Sequence, residues 1–476
     1  TVRQWISALV IPGIAFLASQ GFGGRTFALV LIGFVVVAVL AAVWGFLRWR
    51  ATTYGVSGGA FHLRQGVIQK TERTIPLEHV QSVDTVQGII QRVFGVVEVR
   101  VETAGGGGDA PDASLPALGI EDAEALRREI QGSAGAGPRA VTETGEEVEG
   151  GPAVIRALST RDLLVAGATS GQIGVALSVI AVGSQVFDDI FSNGFAERII
   201  ESLAPRSVTA ALLLVLVVGL FAWLLAIAGT VLSYARFTLS RDGEFLYIRR
   251  GLLEKREATI PLARIQAVKV VEGVLRQPFG LAMVRVESAG YGQDAGVSTT
   301  LFPLLPREEA QDLLRRAAPE FAVEPPLEKL PRRAFRRYVF RAVLPVLFLI
   351  PTLAAVSILA LDFIPGAFLA LLLLAPAVFL GWLRYRDAGW ALDGGRLVVR
   401  SRMLARTTAV APRRRLQSRS VLRSPLQRRL DLATLRAQLA SGGGGVAVEV
   451  VDLGSETASA LLERLGPRTA DPVTET

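Results

Sequence analysis

The chain has 476 residues, half of them apolar, with 51 Lys and Arg against 43 Asp and Glu and a mean hydropathy of +0.41. A soluble chain of this size rarely reaches that hydropathy, so composition points to a membrane protein. There is no cysteine and there are only two histidines, His62 and His79, which excludes disulfides, thiolate chemistry and a histidine-rich metal centre.

The first two apolar runs, Trp5–Ser19 and Phe27–Leu47, sit back to back across Gln20–Thr26. A signal peptide has one short apolar core and a small-residue cleavage site. A doublet that recurs twice reads better as a transmembrane helical hairpin, here residues 1–50, because a span needs about 20 apolar residues. The chain starts at threonine with almost no basic lead, so a preceding stretch is expected to be missing.

Residues 51–132 read as a small β-rich domain. Phe61-His62-Leu63-Arg64 alternates as a strand, Gln65-Gly66 is a tight turn, and a second strand runs to Ile75-Pro76, where proline should end pairing. Val80, Val83, Val86, Ile89, Ile90 and Val93 follow, open between strand and helix. Val97, Val99 and Val101 then alternate with Glu98, Arg100 and Glu102 as a half-buried strand. Gly105–Gly108 is a turn, and Glu121–Ile130 is an amphipathic helix presenting Leu126 and Ile130.

Residues 133–160 form a linker whose Gly132–Pro152 core is rich in Gly, Ala, Glu and Pro. A second hairpin (161–236) pairs Leu163–Phe187 with Val208–Leu232. Gly167, Gly171 and Gly174 lie there at roughly helical spacing. That spacing allows two helices to approach closely, although glycine is common in membrane helices anyway. A second β domain (237–320) ends in the helix Arg307–Ala317. A basic lead (321–338), a third hairpin (339–386, from Val339–Leu361 and Pro365–Leu383), a third β domain (387–466) with helix Ser455–Leu465, and a disordered tail (467–476) complete the chain.

The three units are copies. IPLEHVQSVDTVQGIIQRVFGVVEVRVETAG from Ile75 aligns without gaps to IPLARIQAVKVVEGVLRQPFGLAMVRVESAG from Ile260, offset by 185: Pro76 with Pro261, Gln81 with Gln266, Gly95 with Gly280. The third copy, from Ala411, is weaker; Pro412, Gln417 and Ala440 fall 151 residues after Pro261, Gln266 and Ala289. Asp431 replaces the glycine of Phe-Gly and Arg402 replaces the turn glycine, which suggests that the third copy has lost some turn geometry or been put to a different use.

Arginines flank the open side of each hairpin: Arg3, Arg48 and Arg50; Arg156, Arg161 and Arg236; Arg332 to Arg341 with Arg384 and Arg386. The connecting turns are poorer in basic charge. The positive-inside rule therefore puts all three β domains in the cytoplasm of a multi-pass cell-membrane protein.

The run Ile75-Pro76, Val80-Gln81, Arg92, Phe94-Gly95 and Val99 to Gly105, with its echo from Ile260, resembles bacterial membrane proteins with pleckstrin-homology-like domains, the YdbS/YdbT-like group. The resemblance covers essentially the whole chain. It implies that each β domain is a PH-like split β-barrel closed by a C-terminal helix, giving a membrane α plus β fold of three hairpin-and-barrel repeats. It supplies no reaction and no catalytic residue.

No Walker lysine, GxGxxG or nucleophile–base arrangement is present, and Glu98, Arg100 and Glu102 are expected to form cross-strand ion pairs. No catalytic, cofactor or metal site is expected, nor is a nucleic-acid partner. The basic clusters remain: Arg64, Lys70 and Arg73; Arg249, Arg250, Lys255 and Arg256; and Arg402, Arg413, Arg414 and Arg415 in a stretch, Arg384–Arg436, with fourteen arginines against three aspartates. In PH domains generally, basic residues at this strand turn hold lipid phosphates, while positive-inside topology accounts for the charge without a ligand. The expectation is a non-enzymatic membrane scaffold or accessory protein. Its domains would bind the bilayer, anionic headgroups, a related membrane protein or further copies of the chain. A component of a lipid or solute export system is the alternative, against which the spans carry no clear buried charge.

Overall fold

A computed structural model describes residues 24–103, 113–133, 152–170, 208–288, 300–359, 372–440 and 446–466. The run Trp5–Ser19, most of Leu163–Phe187, most of the hairpin turns, the glycine-rich turns, the linker core and the tail lie outside these residues.

Helix α1 (Gly24–Arg50) is almost wholly apolar and ends on Arg48 and Arg50, cations that suit a helix C-terminus. It leads into β1 (Thr53–Ser57), β2 (Ala60–Gln65) and β3 (Thr71–Pro76), then β4 (Val80–Gln87), the short helix α2 (Ile89–Val93), β5 (Val96–Thr103), β6 (Ala113–Gly119) and α3 (Ile120–Ser133). The stretch Val80–Val93 is thus a strand followed by a helical turn. The second copy opens with β7 (Ala153–Ala157), α4 (Thr160–Ala168) and α5 (Val208–Tyr234). It continues with β8 (Thr238–Asp242), β9 (Phe245–Arg250), β10 (Lys255–Pro261), β11 (Ile265–Glu272), β12 (Leu281–Ser288), β13 (Thr300–Pro306) and α6 (Ala310–Ala317). The third has β14 (Glu328–Lys329), α7 (Ala334–Leu359), α8 (Leu374–Asp387), β15 (Gly389–Asp393), β16 (Arg396–Arg402), β17 (Arg406–Pro412), β18 (Leu416–Leu422), α9 (Pro425–Arg429), β19 (Leu432–Leu439), β20 (Val446–Gly454) and α10 (Ser455–Arg464).

Among the described residues one helix, over Leu216–Tyr234 within α5, is long and apolar enough to cross a membrane. Helices pack closely where glycine permits. A Cβ on Gly167 would lie 3.0 Å from Ile227 Cα, and one on Gly381 would lie 2.6 Å from Val339 Cα. The indole N–H of Trp223 donates to Ala168 O at 3.0 Å, tying α5 to α4. Gly171 and Gly174 lie outside the described residues. The end of the basic lead and the start of the third hairpin, both on α7, serve the third domain. Arg337 and Arg341 donate to the fully buried Asp452 at 3.0 and 2.5 Å, and Tyr338 Oη donates to Val451 O.

Each copy packs two sheets face to face. Strand alternation sets the cores: Val97, Val99 and Val101 of β5 are buried with Phe61, Leu63, Leu115, Leu126 and Ile130. Equivalent cores form around Phe237, Leu246, Ile260 and Leu313, and around Leu397, Leu432, Leu435 and Leu461. Arg100 is held by Glu98 on its own strand at 2.9 Å, and Glu98 also accepts from Ser114 on β6. Asp84 of β4 stands opposite Arg100 in the ladder, so the arginine also faces a carboxylate across the strands. Hydrogen bonding to Glu98 raises the Arg100 pKa.

The sheets do not stop at copy boundaries. Their orders are β1-β2-β3, then β6-β5-β4-β10-β9-β8-β7, then β13-β12-β11-β17-β16-β15-β14, then β18-β19-β20. The second sheet of one copy continues edge to edge into the first sheet of the next, through β4 with β10 and β11 with β17.

The repeated residues have repeated jobs. Register shifts fall at Val80/Ser82, Ile265/Ala267 and Leu416/Ser418, around Gln81, Gln266 and Gln417. Each Ile-Pro or Ala-Pro ends a strand and opens a 3-10 turn. Gly66 and Gly251 have φ of +114° and +101°, and a Cβ on either would meet a carbonyl oxygen at 1.9 Å. Arg402 has no such conformation, so this turn differs in the third copy as the lost glycine implies. At the other position the geometry survives: Asp431 has φ +49° beside +65° at Gly95 and +62° at Gly280. Aspartate tolerates the left-handed region better than most residues.

Candidate membrane-facing surface

The β9–β10 turn is fastened to the end of the candidate span. Gly251 N–H donates to Ala235 O at 2.8 Å and Leu252 N–H to Leu232 O at 2.9 Å. The turn therefore sits where α5 would leave a bilayer, with Leu252 and Leu253 exposed. Arg92, just past β4 in the first copy, donates to Leu252 O at 2.9 Å and brings exposed Ile89, Ile90, Val93 and Phe94 to the same place.

The next boundary repeats this arrangement. Arg384 of α8 donates to Met403 O at 2.9 Å and Gln277 donates to Leu404 O at 3.5 Å. Met403, Leu404, Val274, Leu275 and Phe279 are exposed there. Arg276, buried beneath them, donates to Ala166 O, Thr169 Oγ1 and Pro303 O, which holds the end of α4 against the same tip. Burial lowers its pKa to about 10, leaving it charged at neutral pH. Two apolar patches thus lie beside helix ends, with 71–78 % of the surface of Val93, Phe94, Phe279 and Met403 exposed. Soluble proteins rarely expose such contiguous patches without use.

The predicted basic residues divide around this surface. Arg64 pairs with Glu72 at 2.8 Å, Arg249 with Glu257 at 3.0 Å and Arg256 with Glu254 at 2.7 Å, all at least a third exposed. Lys70 is exposed on the first turn, Arg73 is engaged on β3, and Lys255 lies opposite Gln87 in the β10–β4 ladder. Arg250 is buried with its guanidinium 5.2 Å from the Tyr234 ring centre, and burial lowers its pKa to about 10. Arg402 is buried against Asp387 at 2.5 Å. Arg250 and Arg402 therefore brace the turns against the helices.

Arg413, Arg414 and Arg415 stand apart from Arg402. They follow β17, a seven-residue strand and so a span of about 20 Å at the usual rise, at the opposite end of the domain. There Arg396, Arg413, Arg414, Arg419 and Arg464 line an open cleft of about 1120 Å³ with Gly394, Gly395 and Leu465. Its carboxylate is Glu320, paired to Arg414 at 2.7 Å. Burial lowers the Arg415 pKa, as does the neighbouring Arg414 charge, while Glu320 raises it. His62 lies between Thr74 Oγ1 (3.1 Å) and Ser57 O (3.3 Å), and His79 ends a turn beside Glu78.

Sequence reasoning missed the apolar tips. Ile89, Ile90 and Val93 were legible as apolar, but their helical turn faces outward instead of continuing the buried face of β4.

The profile of the bacterial PH domain family matches three times, at residues 7–134, 196–320 and 345–469. The chain is 31 % identical over 483 residues to the UPF0699 transmembrane protein YdbT of Bacillus subtilis (strain 168), covering 99 % of this chain and 96 % of that protein. It is 30 % identical over 106 residues to the UPF0699 transmembrane protein YdbS of the same organism, covering 20 % of this chain and 64 % of that protein. No solved structure matches.

Proposed function

The chain belongs to the bacterial PH domain family, and from that premise we propose that it is a non-enzymatic, multi-pass membrane scaffold whose PH-like array lies against the cytoplasmic face of the membrane. The β2–β3, β9–β10 and β16–β17 turns and the segments after β4 and β11 dip their apolar side chains into the interface. Arginines and lysines around them meet anionic headgroups. The distal arginine cleft takes an acidic segment of a protein partner. The observation that carries the reading is the pair of hydrogen bonds from Gly251 and Leu252 to the end of α5 and the residue just after it, which bring an apolar, basic-rimmed turn to the end of the helix able to span.

The energetics favour this arrangement. A fully buried Leu or Phe side chain contributes about 1.5–3 kcal/mol, so partial immersion of the apolar side chains of either patch contributes on the order of 5 kcal/mol. Each basic residue near an anionic leaflet adds about 1 kcal/mol.

Because the chain has no cysteine, single-cysteine nitroxide labels report depth cleanly. Labels at Val93, Phe279 and Met403 in anionic liposomes should be relaxed more by oxygen than by a water-soluble nickel chelate. Labels at Glu244 and Asp393, at the far ends of the hairpins, should show the reverse. Aqueous exposure at all five positions would refute the reading. A reporter fused near Gly145 tests the cytoplasmic side directly.

A further inference from the structure

Two strands whose counterparts are joined elsewhere in the array have an edge without a strand partner among the described residues. They are β3, in the first sheet, and β18, in the last. These are the two halves of a joint that the chain makes twice within itself. In the first joint Gln87, Val86 and Thr85 of β4 stand opposite Lys255, Arg256 and Glu257 of β10. In the second, Glu272, Val271 and Val270 of β11 stand opposite Arg406, Thr407 and Thr408 of β17. Adding the repeat offsets of 185 and 151 to the first set gives the second, so the two joints share one register.

We propose that β18 of one chain pairs with β3 of a second copy in that same register, extending the array head to tail. Carrying the offsets forward places Leu422 opposite Thr71, Val421 opposite Glu72 and Ser420 opposite Arg73.

Three observations support the joint. The bulge that shapes β4 and β11 is present in β18, at Leu416/Ser418. Burial differs as an open joint requires: β11 is largely buried and β17 nearly so, whereas β18 and β3 are mostly exposed along the same positions. Finally, a side-chain contact recurs beside both internal ladders. Arg92 reaches the Leu253 carbonyl at 3.4 Å and Gln277 the Leu404 carbonyl at 3.5 Å. The same offsets bring Arg428 to the carbonyl of Ile68, and both residues are exposed in the single chain.

An unpaired edge is a template for strand addition, and a contact using two different surfaces propagates into rows or closed rings. One position resists it. The outermost pair is Gln87 with Lys255, then Glu272 with Arg406, and between chains it becomes Arg423 with Lys70. That like-charged pair makes the intermolecular joint weaker than the internal ones and supplies a handle on it.

The test uses the full chain in detergent. Separately tagged T71C and L422C chains are mixed and treated with a short thiol crosslinker. The mixture should give crosslinked dimers, and neither chain alone should. A T71C/L422C double variant should give a ladder of higher species. R423E, which recreates the Glu272–Arg406 pairing opposite Lys70, should raise the crosslinked fraction severalfold. Absence of the mixed product, equal crosslinking of T71C to a cysteine at Glu449 outside the joint, or a fall in yield with R423E would overturn the proposal.

Discussion

Glu272→Gln tests whether the shared sheet is a structural unit. Glu272 is 2 % exposed and accepts two hydrogen bonds from Arg406, across the boundary between the second and third copies. Arg307 approaches it at 3.6 Å. Hydrogen bonding to Glu272 raises the Arg406 pKa, the mark of a favourable charged pair. Glutamine keeps the volume but removes the charge that compensates the partly buried Arg406, while Arg307 keeps its own pair with Glu324. Breaking a buried pair from one side costs about 3–5 kcal/mol. Arg406 is 29 % exposed and can partly rehydrate, which places the expected loss at the low end, about 3 kcal/mol. A chain of several packed units does not unfold in one step, so a single melting temperature is a poor readout. Hydrogen exchange is local: a loss of about 3 kcal/mol corresponds to about a hundredfold loss of protection, confined to β11 and β17. R406M should relieve most of the cost in the double variant. Unchanged exchange in E272Q, or equal losses with and without Arg406, would refute the argument.

Asp452→Asn removes the charge facing Arg337 and Arg341 and weakens acceptance from Gln427. It should destabilise the third domain by about 3 kcal/mol, visible as faster exchange in β20 and α10 with β5 unaffected. Gly251→Ala places a Cβ 1.9 Å from Glu254 O at φ +101°. It should cost at least about 1–3 kcal/mol of backbone strain and loosen the turn from α5. With a nitroxide carried by Leu253→Cys, that loosening reads as a label less accessible to oxygen than in the chain that keeps Gly251.

Local grammar was legible in the sequence because its physics is local. Alternation in Val97–Val101, the strand-ending Pro76, Pro261 and Pro412, and the amphipathic C-terminal helices all fold as patterned. The glutamines repeated at 81, 266 and 417 proved to mark bulges. What pairs with a strand edge is another matter. Alternation records which face is buried and carries no information on the neighbour in the ladder, so the joints β4–β10 and β11–β17 could not be read from it. The arginine clusters misled for a related reason. Arg402 and Arg413 are close in sequence but bracket β17, which separates them to opposite ends of the domain. Asp431 in place of glycine suggests a lost turn, yet its side chain, hydrogen-bonded at the α10 start, accompanies the same left-handed geometry.

The shared sheets bear directly on how such a protein would hold a membrane. Separate PH-like domains on flexible linkers would each sample the surface independently. Here the first copy cannot rotate against the second without breaking the β4–β10 ladder and the Arg127–Glu257 pair at 3.2 Å, nor the second against the third without breaking β11–β17 and the Glu272 contacts. The apolar tips occur at these two boundaries, each assembled from both neighbours: Phe94 and Arg92 with Leu252, Phe279 and Gln277 with Leu404. A tip is therefore complete only when its joint is closed. In the proposed seating, one bound tip presents the other at fixed distance and orientation, so the second binding is intramolecular and costs little further ordering. Individually modest interface contacts then act together, and substitutions that open a joint should weaken membrane seating as strongly as those that alter the tip itself.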